Sequence, residues 1–313
     1  MRARILIVAI VTATTAGVAL RAQQQTNPPP LVRENATEKI SPHVYWIADG
    51  DVPQVSNIGI IVGSRGTLVV DTGLGPRNGE TVAREAAKVT RGGEQYLAMT
   101  HFHAEHDLGA QGLPAATKVI RWKVQDQDIA ELGLSFALNF ATQNPFNAGL
   151  LKGTNFRKTD ISFDRDYRLD LGDVHVRIVG EGPAHTRGDT VFFVEEDRVL
   201  FAGDIVMPAF PAFQTSYSSV RTWSAVLDRL AAMKPAIIIP SHGRRGDESM
   251  IATYRDYFRA LQTRVAELKK QGRSSDDTAA TLQEEMPKKF TGLAYRGANR
   301  VTLAAQIAYN EAR

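Results

Sequence analysis

Three imidazoles and a carboxylate fall within six consecutive positions, His101-Phe102-His103-Ala104-Glu105-His106, directly after the apolar run Gln95 to Met99. Imidazole nitrogen and carboxylate oxygen are the donors a zinc-like divalent ion takes, at about 2.0 to 2.2 Å. If His101 and His103 continue the strand, alternation sets them on one face, while Glu105 and His106, past the turn, reach a second ion. A plainer reading is an exposed His-rich turn that binds nothing, or binds adventitious metal. Against it stand three further candidates where β-rich runs stop: His185 in Gly182-Pro183-Ala184-His185-Thr186, Asp204 in Ala202-Gly203-Asp204, and His242 in Pro240-Ser241-His242-Gly243. Five of the seven histidines thus occupy strand-to-loop junctions. His43 and His175 read as ordinary strand histidines and are left out.

The elements that must position these groups follow from periodicity. Val44 to Ile47, Ile58 to Val62 and Thr67 to Val70 are β-rich, with Gly63 to Gly66 a hairpin turn and Asp71-Thr72-Gly73 ending the last run. A helix is predicted from Asn78 to Val89, then strands at Gln95 to Met99 and Thr117 to Trp122. Val124 to Lys158 is mixed, with Phe136, Phe140, Phe146 and Phe156 spread through it, and suggests a helical flap. Its phenylalanines suit an apolar substrate pocket and a small core of the flap's own equally well. The second half continues with a strand Tyr167 to Val179, a hairpin of Thr190 to Val194 and Arg198 to Phe201, a helix Arg221 to Met233 and a strand Ala236 to Ile239. Trp223 heads an amphipathic run and reads as core. From Ser249 onward the pattern is helical, and no repeat of solenoid length is present.

The ends and the composition bound the setting. Met1-Arg2-Ala3-Arg4, the apolar run Ile5 to Leu20 and the small residues near Ala22 have the three parts of a secretory signal. The run is short for a membrane span and carries Thr12, Thr14 and Thr15. Four segments are expected: a signal peptide at 1–22, a proline-rich flexible linker at 23–36, a catalytic domain at 37–248 and a C-terminal helical extension at 249–313 packed on the core. The compartment expected is outside the cytoplasm, the bacterial periplasm, with no stable membrane insertion after cleavage. The chain has no cysteine, so no disulfide framework and no thiolate nucleophile or ligand. Its formal charge of +3 vanishes on loss of Arg2, Arg4 and Arg21, which leaves bases balanced against 34 acids. With no basic block, nucleic acid is discounted and a small-molecule substrate expected. Oligomeric state is not legible.

In order and spacing these motifs resemble the metallo-β-lactamase superfamily, whose signature is H-x-H-x-D-H followed by a distant His, an Asp and a final His. The resemblance covers about Thr37 to Gly246, and Asn57, the Gly63 to Gly66 hairpin and Val70-Asp71-Thr72-Gly73 also look like the family's opening. It implies an α/β fold, an αββα four-layer sandwich of two mixed β-sheets with helices outside, plus C-terminal helices. It implies that His101, His103 and His185 hold a first metal, that Glu105, His106 and His242 hold a second, and that Asp204 bridges them. Two zinc ions per chain are expected, with iron or manganese as alternatives. One departure is Glu105, where the family carries Asp. The extra methylene adds about 1.3 Å of reach, which implies a second metal that is displaced, weakened or differently coordinated. Asp107 next door is a possible substitute ligand. Asp71 suits orienting a ligand from behind or capping a turn.

The chemistry the resemblance implies is hydrolysis of an ester, thioester, lactone or amide by a hydroxide shared between two ions, with Glu105 and Asp204 as catalytic residues. A bridging Asp204 looks more like the glyoxalase II, lactonase and periplasmic quinoprotein-relay branches than like true β-lactamases, which place Cys or Ser there. Three alternatives stay open: β-lactam hydrolysis, an iron-dependent redox enzyme acting on sulfur compounds or oxygen, and a catalytically silent metal or ligand binder.

Overall fold

The computed structural model of the chain describes residues 28–213, 217–294 and 299–312. Its first sheet takes the strands in chain order, β1 (Thr37–Lys39), β2 (Val44–Ile47), β3 (Ile58–Val62), β4 (Gly66–Val70), β5 (Glu94–Ala98), β6 (Lys118–Trp122) and β7 (Ile161–Phe163). β1 to β4 form an antiparallel meander and β4 to β7 run parallel. The second sheet holds β8 (Asp166–Asp170), β9 (His175–Gly180), β10 (Thr190–Val194), β11 (Val199–Gly203) and β12 (Ile237–Pro240), in spatial order β12-β11-β10-β9-β8. Its pairs are antiparallel except β11 with β12.

Side-chain alternation makes the layers. Ile61, Leu68, Val70, Ala98 and Ile120 of the first sheet face Val176, Ile178, Phe192, Val194 and Phe201 of the second in one buried cluster. Their neighbours Ile60, Val62, Val69, Leu97 and Val119 turn outward onto Val82 and Ala86 of α1 (Pro76–Ala87). On the other side Val191, Phe193 and Leu200 meet α6 (Val220–Ala232) and α7 (Ser249–Lys270) through Trp223, Leu227, Tyr254 and Phe258. Each such side chain contributes about 1.5–3 kcal/mol by leaving water. Gly59 is required where the sheets approach, because a Cβ there would run into the Phe201 ring. The expected αββα sandwich of two mixed sheets is what the chain forms. Trp223 is core, its indole donating to the Ile205 carbonyl at 3.0 Å.

The remaining helices are α2 (Ala104–Asp107), α3 (Lys123–Asp128), α4 (Leu134–Thr142), α5 (Pro145–Leu150), α8 (Ser275–Lys289) and α9 (Arg300–Glu311). The flap is α3, a π-helical turn Ile129–Gly133, α4 and α5. The C-terminal helices pack onto α6 and the second sheet, and Glu311 accepts the Val220 and Arg221 amides at the start of α6.

Several expectations need correcting. Tyr167 to Val179 is not one strand but β8 and β9, an antiparallel pair turned at Gly172, whose φ is 110°. β1 and β7 give no sequence signal because each is only three residues long. α1 begins at Pro76, whose fixed φ and missing N–H suit a first helical turn. β5 stops at Ala98, so His101 and His103 lie on irregular backbone rather than on one strand face. The end of the 23–36 stretch is not loose: Val32 is buried with its amide donating to Asn78 Oδ1 at 2.8 Å, and the Asn35 amide donates to Glu85. The signal reading at 1–22 lies outside the described residues.

Candidate metal centre

The ligand loops share one edge of the sandwich. β4 and β5 are parallel, and β9, β11 and β12 point the same way, so the chain leaves all five at that edge. Asp71 follows β4; His101, His103 and α2 follow β5; His185, Asp204 and His242 follow β9, β11 and β12. The structure brings together all seven residues singled out in the sequence. His101, His103 and His185 form one group, His101, His106 and Asp204 a second, and Glu105, His106 and His242 a third, each with its ligand atoms within 4.8 Å of one another. Asp204 turns one oxygen to His185 Nε2 at 3.6 Å and the other to His242 Nε2 at 3.9 Å. Glu105 Oε1 lies 3.9 Å from His106 Nε2.

Four of the imidazoles are aimed by their other nitrogen. Nδ1 of His101 lies 3.1 Å from Thr100 Oγ1, that of His106 2.9 Å from Asp71 Oδ2, that of His185 2.8 Å from the Ala212 carbonyl, and that of His242 2.8 Å from the Val55 carbonyl. The acceptors keep the proton on Nδ1 and turn an Nε2 lone pair inward, the arrangement in which a metal-binding histidine is normally held. The cluster is unfavourable without a cation. Buried with no hydrogen-bond partner among the described residues are His101 Nε2, His106 Nε2, Glu105 Oε2 and Asp204 Oδ1, while His103 turns its Nδ1 toward the cluster, 3.3 Å from His185 Nε2. Buried polar atoms of a native protein are rarely left so, and this donor set fits a divalent ion of the zinc type.

The charges say the same. Burial, then repulsion from neighbouring imidazoles, holds His101 and His103 well below the ordinary histidine value. Burial pushes the Glu105 carboxyl up. Burial also opposes charge on His106, but the Asp71 carboxylate outweighs it and raises His106 to about 9. Asp204 is desolvated too, yet four imidazoles, His242 and His185 foremost, keep it well below the usual carboxylate range.

Asp71 both orients and caps. Besides His106 it takes the Thr100 amide at 2.7 Å and the Thr100 hydroxyl at 2.9 Å. Asp107 is in none of these ligand groups: both its oxygens accept from Arg121, at 2.9 and 2.7 Å, in a buried ion pair. His43 and His175 sit apart, against Asp197 and Glu196.

Some residues that build the centre carry no readable signal. Asn57 donates to the Pro240 and Gly243 carbonyls, both at 2.8 Å, and accepts the Asp49 amide, while Asp49 accepts the Gly243 amide. Together they clamp the His242 loop. Arg187, two residues beyond His185, pairs with Asp128 at 2.6 Å and Glu131 at 2.7 Å and latches the flap's base. Phe136 of α4 lies flat on the His103 ring, 4.5 Å between centroids and 16° between planes. Asn57 shows in the sequence only as part of a resemblance, and the others need distant segments to meet.

Comparison with known proteins agrees with the geometry. A linear primary-alkylsulfatase from Pseudomonas sp. is 22% identical over 270 residues, 74% of this chain and 50% of that protein. Among solved structures, the stereoselective inverting sec-alkylsulfatase of Pseudomonas sp. superposes with a TM-score of 0.70 at 15% identity, over 88% of this chain and 50% of that one. A metallo-β-lactamase family protein from Thermus thermophilus gives 0.57 at 16% identity, over 86% and 92%. The chain spans about half the length of the alkylsulfatases it matches. The sequence model of the metallo-β-lactamase superfamily matches residues 51–242, a stretch that holds all seven candidate ligands. By that match and by its fold, the chain belongs to the metallo-β-lactamase superfamily.

Proposed function

We propose that the chain is an exported hydrolase that holds two zinc ions, the first on His101, His103 and His185, the second on Glu105, His106 and His242, with Asp204 between them. It cleaves an ester, thioester, lactone or amide of a small molecule. The observation that carries this reading is Asp204, which offers one oxygen to each side of a buried cluster of unpartnered ligand atoms. Two such ions supply Lewis acidity and bring the pKa of water down toward neutrality. The rest is done by the protein. Asp71, Thr100, Val55 and Ala212 fix four of the five imidazoles, which keeps reorganisation at the moment of reaction small. Glu105, whose Oε1 lies 3.9 Å from His106 Nε2 and whose Oε2 is buried without a hydrogen-bond partner among the described residues, would hold the second ion and orient the water beside it.

A second substrate class, sulfate esters, is favoured by the similarity to two alkylsulfatases. The test is metal analysis of the mature protein together with turnover of carboxylic ester, thioester, lactone, amide, β-lactam and alkyl sulfate substrates. Two zinc ions and metal-dependent hydrolysis of one class are expected. Dominant iron with oxygen uptake would favour the redox alternative, rapid β-lactam turnover the lactamase one, and metal binding without turnover of any class a silent binder. Export rests on the pattern at 1–22 and is tested by sequencing the amino terminus of protein recovered from the periplasm.

A further inference from the structure

His101, His106, His185 and His242 each have a hydroxyl, carboxylate or carbonyl behind them, and His103 does not. Its Nδ1 faces His185 Nε2 at 3.3 Å, toward the ligand cluster, and its Nε2 is buried with no hydrogen-bond partner among the described residues. What holds the ring is aromatic. Phe136 stacks parallel on one face of it, and Phe102 meets both His103 and Phe136 edge-on, at 4.9 and 5.0 Å with interplanar angles of 71°. Phe102 is its chain neighbour, whereas Phe136 arrives on α4, directly after the π-helical turn Ile129–Gly133. π-Turns inside helical segments frequently mark functional sites.

The same flap also grips the other side of the first group. Asp128, at the end of α3, accepts from Arg187 and from the Gly188 amide, and Glu131 in the π-turn accepts from Arg187, so the loop that carries His185 is tied to the flap's base. Two of the three residues of the first group are therefore seated by the flap as well as by the sheets. We propose that Phe136 is a positioning residue for His103: its ring takes the place of the missing hydrogen-bond acceptor and makes the flap and the first metal group a single unit. The inference rests on the two-metal reading above.

The test is stepwise zinc affinity of the full mature chain, measured by competition with a chromophoric chelator. Removal of the group that orients a ligand typically costs 10- to 100-fold in metal affinity, so Phe136→Ala is expected to weaken one of the two binding steps by about tenfold or more and leave the other unchanged. Phe136→Tyr, which restores a flat ring, returns that step to the wild-type value. Leu138→Ala serves as the control: on the same helix, 55% exposed and two residues from Phe136, it leaves both steps unchanged. If Phe136→Ala fails to fold, Phe136→Leu keeps the apolar bulk without the ring and is expected to weaken the same step. Wild-type affinities in Phe136→Ala or Phe136→Leu overturn the proposal, as does an equal loss in Leu138→Ala, which would report a generally loosened flap. Wild-type protein that takes up no metal defeats the two-metal reading itself. Because the readout is binding, a protein that turns over no substrate leaves the role of Phe136 to be decided by the titration alone.

Discussion

Asp71 Oδ2 lies 2.9 Å from His106 Nδ1, while the same carboxylate accepts the Thr100 amide and hydroxyl, and Thr100 Oγ1 in turn lies 3.1 Å from His101 Nδ1. One buried carboxylate at the end of β4 thereby aims imidazoles of both metal groups. Asp71→Ala is expected to lower zinc affinity by about 10- to 100-fold and to destabilise the fold. The Thr100 amide it leaves unpaired alone costs about 1–3 kcal/mol. Chelator competition and urea unfolding measure the two effects.

The same pair sets a pH dependence in the metal-free chain. His106 is raised from 6.5 to about 9, burial opposing and Asp71 prevailing, so folding favours its protonated form. Its contribution to stability is complete below about pH 6.5 and is lost as pH rises through about 9. Chelator-treated protein should lose urea resistance between those values, and Asp71→Asn should flatten the slope. An unchanged slope in Asp71→Asn contradicts the assignment to His106.

Asp107 and Arg121 are structural. Arg121→Leu leaves the Asp107 carboxylate buried without its partner, a loss of about 3–5 kcal/mol in such pairs. Asp107→Asn, by contrast, keeps two zinc ions per chain by metal analysis. A drop to one would make Asp107 a ligand after all.

Glu105 reaches further than the aspartate that stands at this place in the family signature. Glu105→Gln is expected to keep the first zinc and weaken the second by about tenfold or more, and to cut kcat by about 100-fold or more if the carboxyl moves a proton. Glu105→Asp shows whether the longer side chain is needed: it is expected to bind two zinc ions, the second with altered affinity.

How much of this was legible follows from distance along the chain. The ligands stood out because three histidines and Glu105 are packed into six positions and because His185, Asp204 and His242 each end a β-rich run. The layers followed from alternation in β3 to β6 and β9 to β12. β8 and β9 merged in the sequence because apolar residues continue through the turn at Gly172, and β1 and β7 are too short to show a period. Asp49 was silent, and Phe136 showed only as one of four flap phenylalanines with no link to His103, for another reason. Asp49 meets Gly243 across nearly the whole domain, and Phe136 meets His103 only once the flap has folded over, so neither has a local signature.

The central claim is that seven side chains from one sandwich edge converge on two metal ions. Anomalous diffraction at the zinc edge from crystals of the zinc-loaded chain tests it most directly. Two peaks are predicted, one among His101, His103 and His185 and one among Glu105, His106 and His242, with Asp204 touching both. Peaks elsewhere, or none within the cluster, would contradict it.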